Sequence, residues 1–354
     1  MIPAIVLLLV SLTTAVAALP LDPAKSNPVA TLWTFPNETW IENLAVRANG
    51  NILCTSLNRD AIYQVDPFKH VAETLHQFAS TDGCLGIAET SSDVFVVVTA
   101  NVSLETNTAW PGSAKIWRVD ARAWELVSLR AFLERSSKLI HSYMGLPKPV
   151  SLIANLTDVV LPDGIATLPY DPSVVLVADA GKGVIWRVNT ATGDHAVTID
   201  DPTFKLTDTI PLGVNGIDIL NGELYFTNLA TNSVGKVTIT PDGSAAGAIQ
   251  VLTTKALAAD DFALSDTGTV YAAGANTLWQ VTADGHTAAS VGGPDSKVLQ
   301  GITSARFGRT AADKDVLYLS TQGGLLEDPP GLEVHGGQLL AVNVNVVESR
   351  GEND

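Results

Sequence analysis

Short apolar runs of alternating polarity recur along most of the chain, separated by Asn-Gly, Asp-Gly and Thr-Gly pairs. Such runs read as strands and such pairs as tight turns. One phrase keeps returning: a polar residue, glycine or a substitute, a large apolar residue, a small one, then another apolar one. It starts at Glu42, Leu85, Asp163, Asn215, Asp260 and Gln300. A second run follows each phrase, as in Val174-Val-Leu-Val-Ala-Asp and Glu223-Leu-Tyr-Phe-Thr-Asn, and then a third, as in Lys115-Ile-Trp-Arg-Val and Val184-Ile-Trp-Arg-Val. One such meander cannot bury both its faces alone, so the copies must stack on one another. Six of them predict an all-β fold, a six-bladed β-propeller.

The repeat is interrupted once, between Asn101 and Leu161, in the blade 2–3 region. Two insertions fall there, one around Trp110-Pro-Gly and one with the pattern of a helix from Ala123 to Ile140. Insertions in a propeller lie in rim loops, where ligand sites are commonly built. The segment Val29 to Phe35, ahead of the first phrase, is expected to close the ring as the outer strand of the last blade.

At the amino terminus, the apolar run Ile2 to Thr14 precedes Ala15-Val16-Ala17-Ala18, the pattern of a signal peptide cleaved near Ala17 or Ala18. The expected organisation is therefore a leader over residues 1–18 and one propeller domain over 19–354, with no membrane span and a destination in the secretory pathway or outside the cell. Three sequons, at Asn37, Asn101 and Asn155, agree with that route and mark candidate glycosylation sites. Cys54 and Cys84 would meet an oxidising compartment. They could be buried thiols, but Cys54 lies on the second strand of blade 1 and Cys84 at the start of blade 2's first strand, a placement that favours a bridge clamping the two blades. A net charge of −16 argues against nucleic acid and anionic membrane surfaces as partners. With only 16% charged residues and 46% hydrophobic ones, much of the chain must be buried.

In a propeller the first strands line the central channel. Five of the six leading residues, Glu42, Asp163, Asn215, Asp260 and Gln300, carry oxygen in their side chains. Asp-Gly and Asn-Gly also occur simply as turn residues, but five in register at a crowded axis point to a site. Oxygen-only ligands suit Ca²⁺, and no Cys/His cluster suggests zinc. Trp40, Trp110 and Tyr143 are candidate substrate-stacking residues at the rim. None of the six histidines sits in a catalytic spacing, and no G-x-S-x-G or H-E-x-x-H motif occurs.

These phrases resemble the SMP-30/gluconolactonase-like propellers. The resemblance implies a channel calcium ion held by Glu42, Asp163, Asn215 and Asp260, with Asp261 beside them, and Ca²⁺-dependent lactone hydrolysis. A closer resemblance covers nearly the whole chain. The stretch Pro36 to Leu53, the Asp66-Pro67 after blade 1 and the Gly336-Gly337-Gln338 before the last strand are similar to a group of secreted fungal propellers, the eupenifeldin-type hetero-Diels–Alderases of secondary metabolism. That resemblance implies a pericyclase needing no cofactor. Its substrates would be apolar biosynthetic intermediates, a tropolone-type o-quinone methide and a humulene-type sesquiterpene, and Glu42, Asp163, Asn215, Asp260 and Gln300 would serve as catalytic groups. A calcium-dependent lactonase and a non-catalytic binding propeller are the competing readings.

Overall fold

The computed structural model of the chain describes residues 28–79, 83–106, 108–124, 149–326 and 333–344. Six four-stranded antiparallel sheets surround one axis. Their inner strands are Ile41–Val46, Gly83–Ser91, Pro162–Thr167, Val214–Leu220, Ala259–Leu264 and Ile302–Phe307. The expected six-bladed propeller is what the chain forms. The amino-terminal strand Val29–Thr34 pairs antiparallel with Gln338–Asn343, Val29 against Val342 and Thr34 against Gln338, and so closes the ring as the outer strand of blade 6.

The apolar pattern follows position in the blade. Second strands such as Ile52–Ser56, Val94–Ala100 and Val174–Asp179 are buried at every residue. They are covered on both faces by neighbouring blades, so their sequences run continuously apolar instead of alternating. Outer strands such as Val71–Gln77 face solvent and carry polar residues. Each fully buried Val or Leu contributes roughly 1.5–3 kcal/mol by leaving water. The tryptophans that recur on third strands are packing residues with anchored N–H groups. Trp117 donates to Thr99 Oγ1 at 2.9 Å and Trp186 to Asp179 Oδ2 at 3.1 Å.

Cys54 and Cys84 are separate, buried thiols, and the bridge expected from their strand positions does not form. The reason is the two-residue period of a strand. Leu53 faces blade 2 and packs in the same cluster as Cys84, so the next residue, Cys54, must face blade 6. Burial pushes both thiols well above the usual cysteine range.

The first insertion forms a small hairpin, Val102–Ser103 against Thr108–Ala109. Of the expected helix Ala123–Ile140, residues 121–124 make a helical turn, and the remainder, with Tyr143, lies outside the described residues. No helix among the described residues is long and apolar enough to cross a membrane.

Candidate active site

The blades present equivalent residues to the axis through a shared irregularity in strand pairing. Ile41 pairs with Ser56, but the next pair is Leu44 with Cys54. The same three-against-two step occurs from Cys84 to Ile87, Pro162 to Ile165, Val214 to Ile217 and Ala259 to Phe262. Each step places two residues at the axis, and the first of them are Glu42, Leu85, Asp163, Asn215 and Asp260. In blade 6 the step runs from Ile302, opposite Thr321, to Ala305, opposite Leu319. Its ring residue is therefore Thr303, and Gln300 lies three positions upstream. Gly301 explains the misleading pattern. Its φ of +61° marks a real turn, whereas Gly86, Gly164 and Gly216 do not have positive φ.

Those three glycines have another purpose. A Cβ on Gly86 would lie 1.9 Å from the carbonyl oxygen of Asp163, and one on Gly164 would lie 2.5 Å from that of Asn215. A Cβ on Gly216 would lie 2.5 Å from the Asp261 carboxylate. Neighbouring inner strands approach so closely that only hydrogen fits between them. On the inner strands, Asp163-Gly164 and Asn215-Gly216 are thus axis packing and not turns.

A hydroxyl on the second strand stitches successive ring positions together. Thr55 Oγ1 accepts the Asn43 N–H at 3.0 Å within its own blade and donates to the Leu85 carbonyl at 2.6 Å in the next. Thr227 likewise accepts from the Gly216 N–H at 2.9 Å and donates to the Asp260 carbonyl. Ser320 donates to the Glu42 carbonyl at 3.4 Å across the blade 6–1 junction. The sequence signal for this device was a small hydroxyl residue near the end of an otherwise apolar second strand.

Above the ring lies a cavity of about 540 Å³. Glu42, Asp163, Asn215, Asp260 and Thr303 form its polar floor, and Trp40, Leu57, Leu85, Leu161 and Leu212 contribute most of one wall. Val102, Ser103, Leu104 and Thr108 of the inserted hairpin close that wall, a contribution the strand pattern did not reveal. Asp179 holds part of it in place by accepting the N–H groups of Val160 and Leu161, each at 2.9 Å. Trp40 lies in the cavity, buried, its indole N–H donating to Glu42. Trp110 is 59% exposed and lies outside the lining. Gln300 is buried below the blade 6 loop, with Nε2 3.5 Å from the Glu333 carbonyl, and is also absent from the lining.

The floor is electrostatically unusual. Glu42, Asp163 and Asp260 offer carboxylate oxygens all within 4.8 Å of one another. Burial, opposed by the Trp40 hydrogen bond and reinforced by Asp261, raises the Glu42 carboxyl to about 7. Burial and the neighbouring carboxylates push Asp163 and Asp260 well above the usual range. Asn215 tempers both: its Nδ2 donates to Asp163 Oδ2 at 2.9 Å. Like charges this close in a poorly hydrated cup do not all ionise by themselves. The floor therefore holds protons, or a cation, at neutral pH.

Asp261 does not join this cluster. Its Oδ2 takes a salt bridge from Arg306 at 2.9 Å and a hydrogen bond from Ser304 at 2.9 Å. Its Oδ1 is buried with no partner among the described residues and lies beside Gly216, and the carboxylates that converge on one point are Glu42, Asp163 and Asp260 without it. Glu42, Asp163 and Asp260 do fit a hard cation, and Asn215 Oδ1, buried with no partner among the described residues, supplies a fourth oxygen.

No family model matches the chain. Two curated relatives match most of it, both named "Putative hetero-Diels-Alderase". The protein of Phoma sp is 28% identical over 334 residues, covering 86% of this chain and 89% of its own length. That of Sarocladium schorii is 29% identical over 348 residues, covering 88% and 81%. Among solved structures, a luciferin-regenerating enzyme superposes with a TM-score of 0.59 at 13% identity, over 89% of this chain and 94% of that one. The calcium-binding protein regucalcin of Agrobacterium tumefaciens gives 0.56 at 14%, over 88% and 94%. A gluconolactonase of Xanthomonas campestris gives 0.52 at 13%, over 89% and 88%. The chain is thus a six-bladed propeller similar in fold to regucalcin and a gluconolactonase, and its curated sequence relatives are named hetero-Diels–Alderases.

Proposed function

We propose that this chain is a hetero-Diels–Alderase that joins a tropolone-type o-quinone methide to a humulene-type sesquiterpene inside the cup. The observation that carries the reading is an apolar-walled cavity floored by three converging carboxyl groups, which burial pushes above their ordinary range, and the names of the sequence relatives support it. A cycloaddition of this class forms one C–C and one C–O bond from an O=C–C=C unit and an alkene, with no net proton or electron transfer. It needs no nucleophile and no redox cofactor. The walls hold two apolar partners face to face, which turns a bimolecular encounter into an effectively unimolecular step. Protonated Asp163 or Glu42 donates to the quinone methide oxygen, and that hydrogen bond strengthens as negative charge builds there in the transition state. The same acids can protonate a leaving hydroxyl as its C–O bond breaks, while the ring hydroxyl of the precursor returns its proton to the carboxylate so formed, so that net loss of one water gives the quinone methide in place.

Incubating the purified protein with a quinone methide precursor and humulene tests this. Adduct should form faster than in buffer and with one stereochemistry. A rate and product mixture equal to the uncatalysed reaction would sink the proposal.

The fit of the floor to a hard cation favours a second reading, a calcium-dependent lactonase. Glu42, Asp163, Asp260 and Asn215 would hold the ion, which when bound supplies a Lewis acid for a lactone carbonyl. Calorimetric Ca²⁺ binding, together with hydrolysis of simple lactones abolished by a chelator, would favour it over the first.

The amino-terminal apolar run and the sequons support passage through the secretory pathway. Asn37 and Asn155 are exposed and Asn101 is half-buried. A mobility shift on endoglycosidase treatment of the native protein checks all three.

A further inference from the structure

The cup has two chemically different walls. On the side of blades 1 to 3, Trp40, Leu57, Leu85 and Leu161 are at once cavity lining and members of the hydrophobic cluster between blades 2 and 3. Leu104 of the inserted hairpin packs onto that cluster and extends it over the cavity. On the side of blades 4 to 6, the lining includes three carboxamides, Asn232, Asn276 and Gln322, at the turns between second and third strands or just beyond a second strand.

These amides are not equivalent. Asn276 is consumed by the frame: its Oδ1 accepts the Gly301 N–H at 2.9 Å and its Nδ2 donates to the Pro294 carbonyl at 3.0 Å. Asn232 and Gln322 use only their oxygens. Asn232 Oδ1 accepts the Ala258 N–H at 2.9 Å, and Gln322 Oε1 accepts the Leu326 N–H at 3.2 Å. A main-chain N–H can only donate, so each amide's orientation is settled, and its NH₂ group is left without a hydrogen-bond partner among the described residues. Gly301 makes room for the Gln322 amide, since a Cβ there would lie 2.2 Å from Nε2.

We propose that the two walls are separate subsites: Gln322 and Asn232 bind the planar, oxygen-rich heterodiene, and the Leu104 wall binds the hydrocarbon alkene. This deepens the proposed reaction and rests on it for the identity of the partners. The physical basis is one-sided hydrogen bonding. Two NH₂ donors with their acceptors already spent select ligand oxygens that accept. A hydrocarbon laid against them would leave both donors dry and unpaired, whereas ketone, enol and ether oxygens satisfy them. The opposite wall is mainly hydrocarbon, with Ser103 and Thr108 of the hairpin its hydroxyl residues, so an oxygen laid against Leu57, Leu85, Leu104 or Leu161 would lose water without replacement. Facing walls also set which faces of the partners meet, so one stereoisomer follows from the partition.

The test uses the full chain and two stable probes, tropolone and humulene, each titrated alone by quenching of tryptophan fluorescence. Gln322→Met should weaken tropolone binding about tenfold, the usual scale for a lost oriented hydrogen bond, and leave humulene within about twofold. Leu104→Gln should do the reverse. Asn232→Gly, which keeps the positive backbone angle, probes the amide wall a second time should Gln322→Met fold poorly. Losses that are equal for both probes, or absent for both, overturn the assignment. Partner-selective losses in a protein that forms no adduct leave the subsites standing and sink the reaction. Adduct formation with losses that are not selective sinks the subsites alone.

Discussion

The two ends of the central channel treat acidic side chains in opposite ways. At the cup, Glu42, Asp163 and Asp260 face one another, and the groups that hydrogen-bond them there are the Trp40 indole and the Asn215 amide. One residue further along the same strands, Asp261 is held by Arg306. Towards the other mouth, Glu89 meets Arg309, and Arg47, 2% exposed, is clasped by Asp93 through two bonds of 2.9 and 3.1 Å. A smaller cavity of about 260 Å³ at that end is lined by Glu89, Asp218, Arg306 and Arg309. A carboxylate given a guanidinium is paired and serves the frame, whereas burial pushes the three at the cup, which have none, above their ordinary range. Asp218, near Arg306 but buried, is likewise raised. The difference lies in the neighbours, since both ends draw on Asp and Glu.

That contrast can be broken from either end. The largest effect is expected at Arg306. Replacing it with Met strands Asp261 as an uncompensated buried charge and should cost about 3–5 kcal/mol in denaturant unfolding. Next comes the cup. Asp163→Leu should lower adduct formation by about 10²–10³-fold, the scale seen for one lost donor to a developing oxyanion, while the protein still folds. A variant that unfolds at the cup but not at Arg306 would invert the comparison.

The pH dependence of stability should then differ in sign. The folded protein holds the Glu42 proton up to about pH 7, whereas the unfolded chain releases it near 4.5. Its contribution is therefore complete below 4.5 and is lost as pH rises to about 7, a change of roughly 3 kcal/mol at 1.36 kcal/mol per unit. Urea unfolding of chelator-treated protein at pH 5 and 8 measures it together with the contributions of Asp163 and Asp260, which have the same sign, and Glu42→Gln should make the slope shallower without abolishing it. Asp120 supplies the opposite case. Hydrogen bonds from Arg122 and Arg118 outweigh burial and hold its carboxylate down to about 2. Its contribution is present above 3.8 and lost as pH falls towards 2. The smallest effect concerns the thiols: reductant should leave the melting temperature unchanged, and unfolding in denaturant without reductant should expose two reactive cysteines.

The blade count, the closing strand Val29–Thr34 and the polar character of the ring were legible because each rests on local pattern. Strand period, turn pairs and repetition survive in a one-dimensional reading. Blade 6 was misread because Gln300-Gly301-Ile302 imitates the phrase, while the pairing of Ile302 with Thr321 decides the register. Trp110 was a reasonable rim aromatic by sequence, but the hairpin turns it outward and offers Leu104 instead. Asp261 followed Asp260 as a second candidate ligand until Arg306, forty-five residues later, was seen to claim it.

What the amino-acid sequence determined by itself is the propeller: six meanders that cannot bury their faces singly, and acidic or amide residues opening most of the inner strands. Which of those residues share one cup, which acids burial pushes above their ordinary range, that Cys54 and Cys84 face different interfaces, and that one wall carries the amides while the other is mainly hydrocarbon were decided only in three dimensions. Each depends on groups from different blades brought together. Charge, desolvation and hydrogen-bond partnership are properties of the neighbours a residue acquires, and a repeat read along the chain does not contain them.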